Sequence, residues 1–399
     1  MNTTDKIKLK NIFNRCISLF ISTVMSFAFL MADGCNNAKI IEEYPEADTT
    51  PVVVSEDADI PADDEETTQK PADDIDREYD SIWDTGTFVY NPEAIAWNYR
   101  EEMKNKEASY KAAKKLLKAV YDRETEFELT ADDGFDEMDF NRGIKLARMS
   151  SPLVSCVDIT MTDINKYEIR YFPELSDDYT ELIYIDTDMA DVERKYTAFE
   201  EYVTETINNN ITADDDYMER AEKIYRFLMD DIELENDKML LEQAAYMNPF
   251  VLTLEFYDTN IIDVPETKKL NHWQFILLYD FFLTQLNVKH YVILGGGTLT
   301  DTSVESIREA FEITDEEWGW IMITDENDNS YQCDILMDKL VLDEQRKSQK
   351  DYESDMLYFG MSDKKRNESL DLSYKIYGMT MDPNRNNTGA QFPECNKDY

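Results

Sequence analysis

The stretch Leu270-Asn271-His272-Trp273-Gln274-Phe275-Ile276-Leu277-Leu278-Tyr279-Asp280-Phe281-Phe282-Leu283-Thr284-Gln285-Leu286 decides how the rest of the chain is read. Phe275, Ile276, Leu278, Tyr279, Phe282, Leu283 and Leu286 spread around much of a helical circumference. A helix that is apolar on nearly every side has no face to give to water, so it is predicted to be central and buried. Downstream the pattern changes to strands, at His290 to Leu294, Trp318 to Thr324 and Tyr331 to Ile335. The last two flank Asp325-Glu326-Asn327-Asp328-Asn329, a polar run that suits a hairpin loop. Asp325, Asn327 and Asn329 also have the start of a calcium-loop spacing. Ser330 and Leu336 stand where that loop needs Gly and Glu, so the turn is preferred.

Upstream, Val192 to Ile207 reads as an amphipathic helix broken by Asn208-Asn209-Asn210. Thr212 to Asp216 offers caps for a helix running to Asp231, with Ala221, Ile224, Tyr225, Leu228 and Ile232 on one face. Leu240 to Leu254 reads as helical, interrupted at Pro249. Before these lie a helix over Ala94 to Tyr121 and a shorter one from Phe140 to Met149, stopped by Ser150-Ser151-Pro152. Ser155 to Met161 and Tyr167 to Phe172 form a predicted hairpin, and Glu181 to Asp186 a third strand.

Composition narrows the function classes. The 399 residues carry 40 Lys plus Arg against 85 Asp plus Glu, a net charge of −45. Binding nucleic acid through a basic surface needs the opposite balance, as does docking on an anionic membrane. Two His leave no room for a multi-histidine metal site. The first residues have the order of an export signal: Lys6, Lys8, Lys10 and Arg15, an apolar run from Ile17 to Met31, then Ala32-Asp33-Gly34-Cys35. Gly34-Cys35 resembles a bacterial lipobox, with lipidation at Cys35. Asp33 and Ala32 depart from the usual motif and leave plain cleavage as the alternative. A polar tether directly after Cys35 favours the lipoprotein. That tether, acidic and nearly free of aromatics to about Asp80, is read as a disordered spacer rather than a calcium trap, because a flexible segment must spend entropy to converge ligands.

The order of elements carries a resemblance. The helix from Ala221, the central helix ending Leu286-Asn287-Val288, the strand from Tyr291, then Trp318-Gly319-Trp320 and Tyr331-Gln332-Cys333-Asp334 together resemble the bacterial transglutaminase-like domain of the papain-like cysteine-protease fold group. The resemblance covers roughly Asp191 to Asp338, and weaker echoes lie upstream and at Tyr358-Phe359-Gly360-Met361-Ser362-Asp363. It implies an α+β fold with a central buried helix packed on an antiparallel sheet, preceded by a small mixed module. The implied division is a signal peptide (1–34), an acidic tether (35–82), an accessory module (83–190), a transglutaminase-like domain (191–345) and a C-terminal extension (346–399).

Such a domain needs a thiolate nucleophile at the helix start, a His as base and an Asp to orient it. Here those positions fall at His272, Trp318 and Asp334, so one member of three survives. The expectation is a catalytically degenerate surface lipoprotein that works as a binding or scaffold module, with Trp273, Gln274, Trp318 and Trp320 as candidate cleft walls. The alternative is an active cysteine peptidase or amide hydrolase with a relocated nucleophile. The implied partner is an extracellular peptide, protein or cell-wall ligand, with no cofactor and no metal, and membrane contact only through the anchor. Cys333 should face away from Asp334 on its strand. Cys395 is placed in a mobile tail, and a bridge from Cys156 or Cys333 to Cys395 stays open. His290, at a strand start, reads as a satisfied structural residue. Gly295-Gly296-Gly297 lacks the Lys and helix of a phosphate loop.

Overall fold

The computed structural model of the chain describes residues 86–103, 106–129, 137–163, 166–172, 174–175, 182–183, 187–235, 259–295, 298–299, 319–371, 376–378 and 392–399. The export segment with Cys35, the tether, Leu240 to Leu254, Gly296, Gly297 and Trp318 lie outside the described residues.

The helix expected over Ala94 to Tyr121 is two, α1 (Trp97–Met103) and α2 (Glu107–Tyr121). Lys106 between them has left helical backbone, at φ −129° and ψ 54°. Helix α3 (Glu137–Ser150) ends before Ser151-Pro152. Strands β1 (Glu126–Glu128), β2 (Val157–Asp163) and β3 (Lys166–Tyr171) form a small antiparallel sheet in the order β1-β3-β2. Of the third predicted strand, Leu182–Ile183 is present, paired with Glu174–Leu175.

Helix α4 (Met189–Asn210) runs through the three asparagines that were expected to stop it. Tertiary contacts override their weak propensity. The Asn208 side chain accepts a hydrogen bond from Phe88 N–H at 2.8 Å and donates to Phe88 O at 3.3 Å. Asn210 donates to Thr206 O. A second clasp of the same kind joins Asn91 to Gln285, at 3.0 Å and 2.9 Å. Helix α5 (Tyr217–Asp231) starts where predicted, with Asp216 and Glu219 forming a reciprocal capping box.

The central helix α6 (His272–Gln285) has a capping box of its own. Asn271 accepts from Gln274 N–H at 2.8 Å, and the Gln274 side chain accepts from Asn271 N–H at 3.1 Å. Phe275, Phe281, Phe282 and Leu283 are buried all round the helix, each worth roughly 1.5–3 kcal/mol relative to exposure. At the other end Val288 N–H bonds Leu283 O and Asn287 N–H bonds Thr284 O. Asn287 takes the left-handed conformation (φ 53°) that such a stop requires.

The helix packs on an antiparallel sheet of four strands, β4 (Lys289–Gly295), β5 (Gly319–Thr324), β6 (Ser330–Cys333) and β7 (Ile376–Gly378), in the order β6-β5-β4-β7. Its register sets Ile321 against Cys333 and Thr324 against Ser330. The intervening turn is tied by Asp325, whose Oδ1 accepts the N–H groups of Asn327 and Asn329, both at 2.8 Å. Burial raises the Asp325 pKa, but hydrogen bonds from Asn329, Asn327 and Tyr331 outweigh it and hold the carboxyl below its ordinary value.

The strand expected to reach Ile335 stops at Cys333. Asp334 caps a helix the sequence reading missed, α7 (Ile335–Ser348), by accepting Met337 N–H at 3.1 Å. Helix α8 (Asp363–Ser369) follows. Among the described residues one buried apolar cluster runs from Phe88 to Cys395. Cys395 therefore does not sit in a loose tail: it is 1% exposed, its carbonyl accepting Asp363 N–H and its own N–H donating to the Asp363 carboxylate. No disulfide joins Cys156, Cys333 and Cys395 to one another.

Candidate functional site

The start of α6 and the start of β5 touch. A Cβ on Gly319 would lie 2.7 Å from Trp273 Cζ3 and 3.1 Å from Ile276 Cδ1, so only glycine lets the indole close onto the strand. His272, the first residue of α6, and Trp273 are half-buried. Gln274 is buried and spent on the capping box. Its Nε2 has no hydrogen-bond partner among the described residues.

Strand alternation turns the neighbouring residue the other way. Gly319 faces α6, so Trp320 points to the opposite side of the sheet. There its indole N–H donates to Gln332 Oε1 at 2.7 Å. The Arg366 guanidinium, from α8, lies 3.7 Å from the centroid of the Trp320 ring. One of its amino groups reaches Asp334 Oδ2 at 3.3 Å. Asp334 is completely buried, and Trp320 and Arg366 nearly so. Gln332 extends the group by donating to Asp363 Oδ1 at 2.8 Å.

Trp320 and Asp334 are thus brought together, through Arg366. Trp273 and Trp320 are on opposite faces of β5 and do not line a common wall. Trp320 and Gln274, expected to face a cleft, are both committed to internal contacts.

Burial lowers the Arg366 pKa to about 10, opposed by the nearby Asp334 and Asp363. The guanidinium still carries its charge at neutral pH. Its Nε and Nη1 have no hydrogen-bond partner among the described residues, so the charge is answered mainly by Asp334 and the indole face.

The other reactive groups are occupied or masked by burial. His290 is buried, with Nδ1 2.7 Å from Val288 O and Nε2 2.8 Å from Asp280 Oδ1. Both ring nitrogens face acceptors, so neither is left to take a proton from a nucleophile. Cys333, the last residue of β6, is fully buried and accepts Gly360 N–H at 3.4 Å, while Asp334 has already left the strand to cap α7. Burial pushes its thiol pKa far up, the opposite of an activated nucleophile. Beside it, Asp338 accepts the Tyr225 hydroxyl at 2.5 Å and Tyr358 N–H at 3.0 Å. Burial raises the Asp338 carboxyl to about 7, against the pull of those two hydrogen bonds and with help from neighbouring Asp334.

Sequence reasoning had no signal for Arg366. It lies 32 positions from Asp334 in a short polar helix, and nothing local marks it as buried. Among the described residues no cluster of three or more His, Cys, Asp or Glu is placed to hold a metal ion, and no helix is long and apolar enough to cross a membrane.

These features define a mixed α+β protein, with one buried helix against an antiparallel sheet and a buried Arg–Asp–Trp group behind it. Comparison with protein-family models gives no match, and neither does comparison with curated proteins.

Proposed function

We propose that the chain is an exported surface protein whose α+β domain keeps a transglutaminase-like layout without acyl-transfer chemistry. It acts as a binding or scaffold module at a bacterial envelope, toward an extracellular peptide, protein or cell-wall ligand. One observation carries the loss of chemistry: Asp334, at the position of the orienting carboxylate, is held by an arginine. A carboxylate that neutralises a guanidinium and caps α7 is not available to fix the tautomer of a catalytic imidazole. Two further features support the reading. His290 is closed off by Asp280 and Val288, and Cys333 is a buried thiol with a raised pKa. The export and anchoring part rests on the residues up to Cys35 and on the acidic tether.

The test is to incubate the full chain with a glutamine-containing peptide, an amine acceptor and a thiol-directed activity probe. The expected result is no amide turnover and no labelling of Cys333 in folded protein. Turnover abolished by His272→Ala or Cys333→Ala would sink the proposal and establish a relocated nucleophile instead.

A further inference from the structure

The sheet does not end at β6. Gln332 and Met361 exchange main-chain hydrogen bonds, 2.8 Å each way, so the segment around Met361 continues it. Residues 395–399 lie along that segment in turn. Asp363 N–H donates to Cys395 O at 2.8 Å, and Tyr399 N–H donates to Gly360 O at 2.8 Å. Cys395 N–H donates to the Asp363 carboxylate at 3.0 Å. The chain thus covers its own sheet edge with a short irregular segment, held by two main-chain hydrogen bonds and by side-chain contacts rather than by a regular ladder.

The contact reads side chains as well as backbone. Cys395 is buried, so its position takes only a small apolar group. Asp398 Oδ1 accepts Ser362 N–H at 2.8 Å, a bond that demands an acceptor of that length. The Tyr399 ring meets Tyr331 and Phe359 edge-on, with centroids 5.8 Å and 6.0 Å away. A Cβ on Gly360 would stand 2.6 Å from Tyr399 Cβ, and Gly360 has φ +66°, so glycine is required there on two counts. Tyr399 is nonetheless 57% exposed, and few main-chain bonds fix the segment. Such an edge element belongs to the part of a fold that opens without global unfolding.

We propose that the Gly360–Asp363 edge is a peptide-binding groove that takes a short segment of the pattern small–x–x–Asp–aromatic. Residues 395–399 fill it in cis, and a partner peptide of the same pattern displaces them. The inference uses neither Arg366 nor Asp334 and stands or falls apart from the loss-of-catalysis reading.

The experiment uses the full chain with Asp398→Ala and Tyr399→Ala, which loosens the cis segment, and a fluorescent peptide with the sequence of residues 392–399 carrying Ala for Cys395. Anisotropy is expected to show binding at least tenfold tighter than to the unaltered chain, where the cis copy competes. A scrambled peptide should not bind, and adding Gly360→Ala should abolish binding. Equal binding of the scrambled peptide, or no gain over the unaltered chain, overturns the proposal. Should the double variant fail to fold, hydrogen exchange on the unaltered chain decides. The Asp363 and Tyr399 amides should exchange at least tenfold faster than the Met361 amide, and exchange at one common rate refutes a detachable segment.

Discussion

The Arg366 guanidinium rests on the Trp320 ring at 3.7 Å while the same group reaches the buried Asp334 carboxylate. A planar cation is suited to this double duty: its face stacks on the indole and its edge donates to oxygen. Replacing it with Met takes the counter-charge away from the buried Asp334 carboxylate. Loss of one partner of a buried pair costs about 3–5 kcal/mol. Arg366→Met should lower the urea midpoint accordingly, and Arg366→Lys should recover little. Adding Asp334→Asn to Arg366→Met should return part of the loss, because the stranded charge is gone.

Gly319 is a second point of strict geometry. Gly319→Ala drives a methyl into the Trp273 ring, and overpacking of this kind costs about 1–3 kcal/mol. Combining it with Trp273→Leu should be less damaging than the sum of the two single changes. Strict additivity in denaturant melts would show that the α6–β5 contact is not as described.

Asp338 makes stability depend on pH. Its folded pKa of about 7 lies above the ordinary carboxylate value, so the folded chain holds the proton that the unfolded chain has already released. The contribution is full below about pH 4, where both states are protonated, and is lost as pH rises toward 7. Asp338→Asn, which stays neutral, should flatten the pH 4–8 slope relative to the parent chain. An unchanged slope would show that the Asp338 carboxyl is not the group responsible.

Cys156 and Cys333 should be inert in the folded state. Both are fully buried, and burial raises the pKa of Cys333. Maleimide should modify these positions at least a hundredfold faster in denaturant than in buffer, read by peptide mapping. Fast labelling of Cys333 in buffer would reopen the question of a relocated nucleophile.

Local signals were legible and long-range pairings were not. The central helix was visible because its apolar residues surround it, and the β5–β6 hairpin because Asp325, Asn327 and Asn329 have one economical use, a turn. Helix α7 was missed: its buried residues crowd its first half, Ile335 to Leu342, and its second half is charged, so no clean helical stripe appears. The Asn208 to Asn210 stop failed because Phe88, far away in sequence, supplies the partner that keeps Asn208 helical. Cys395 was misplaced because a short polar segment looks mobile until the edge that receives it is known. Arg366 illustrates the general limit. A buried cation is recognisable only beside its counter-charge, and separation along the chain conceals that partner.

The Asn208–Phe88 and Gln285–Asn91 clasps bear on mechanics. Each lets a side-chain amide impersonate a peptide group, gripping the N–H and C=O of one residue at once. Tension applied through the residues preceding 86 would load these two grips before it reached α4 or α6. Pulling from that side in an optical trap should therefore register the peeling of residues 86–91 as a short first extension, ahead of rupture of the core.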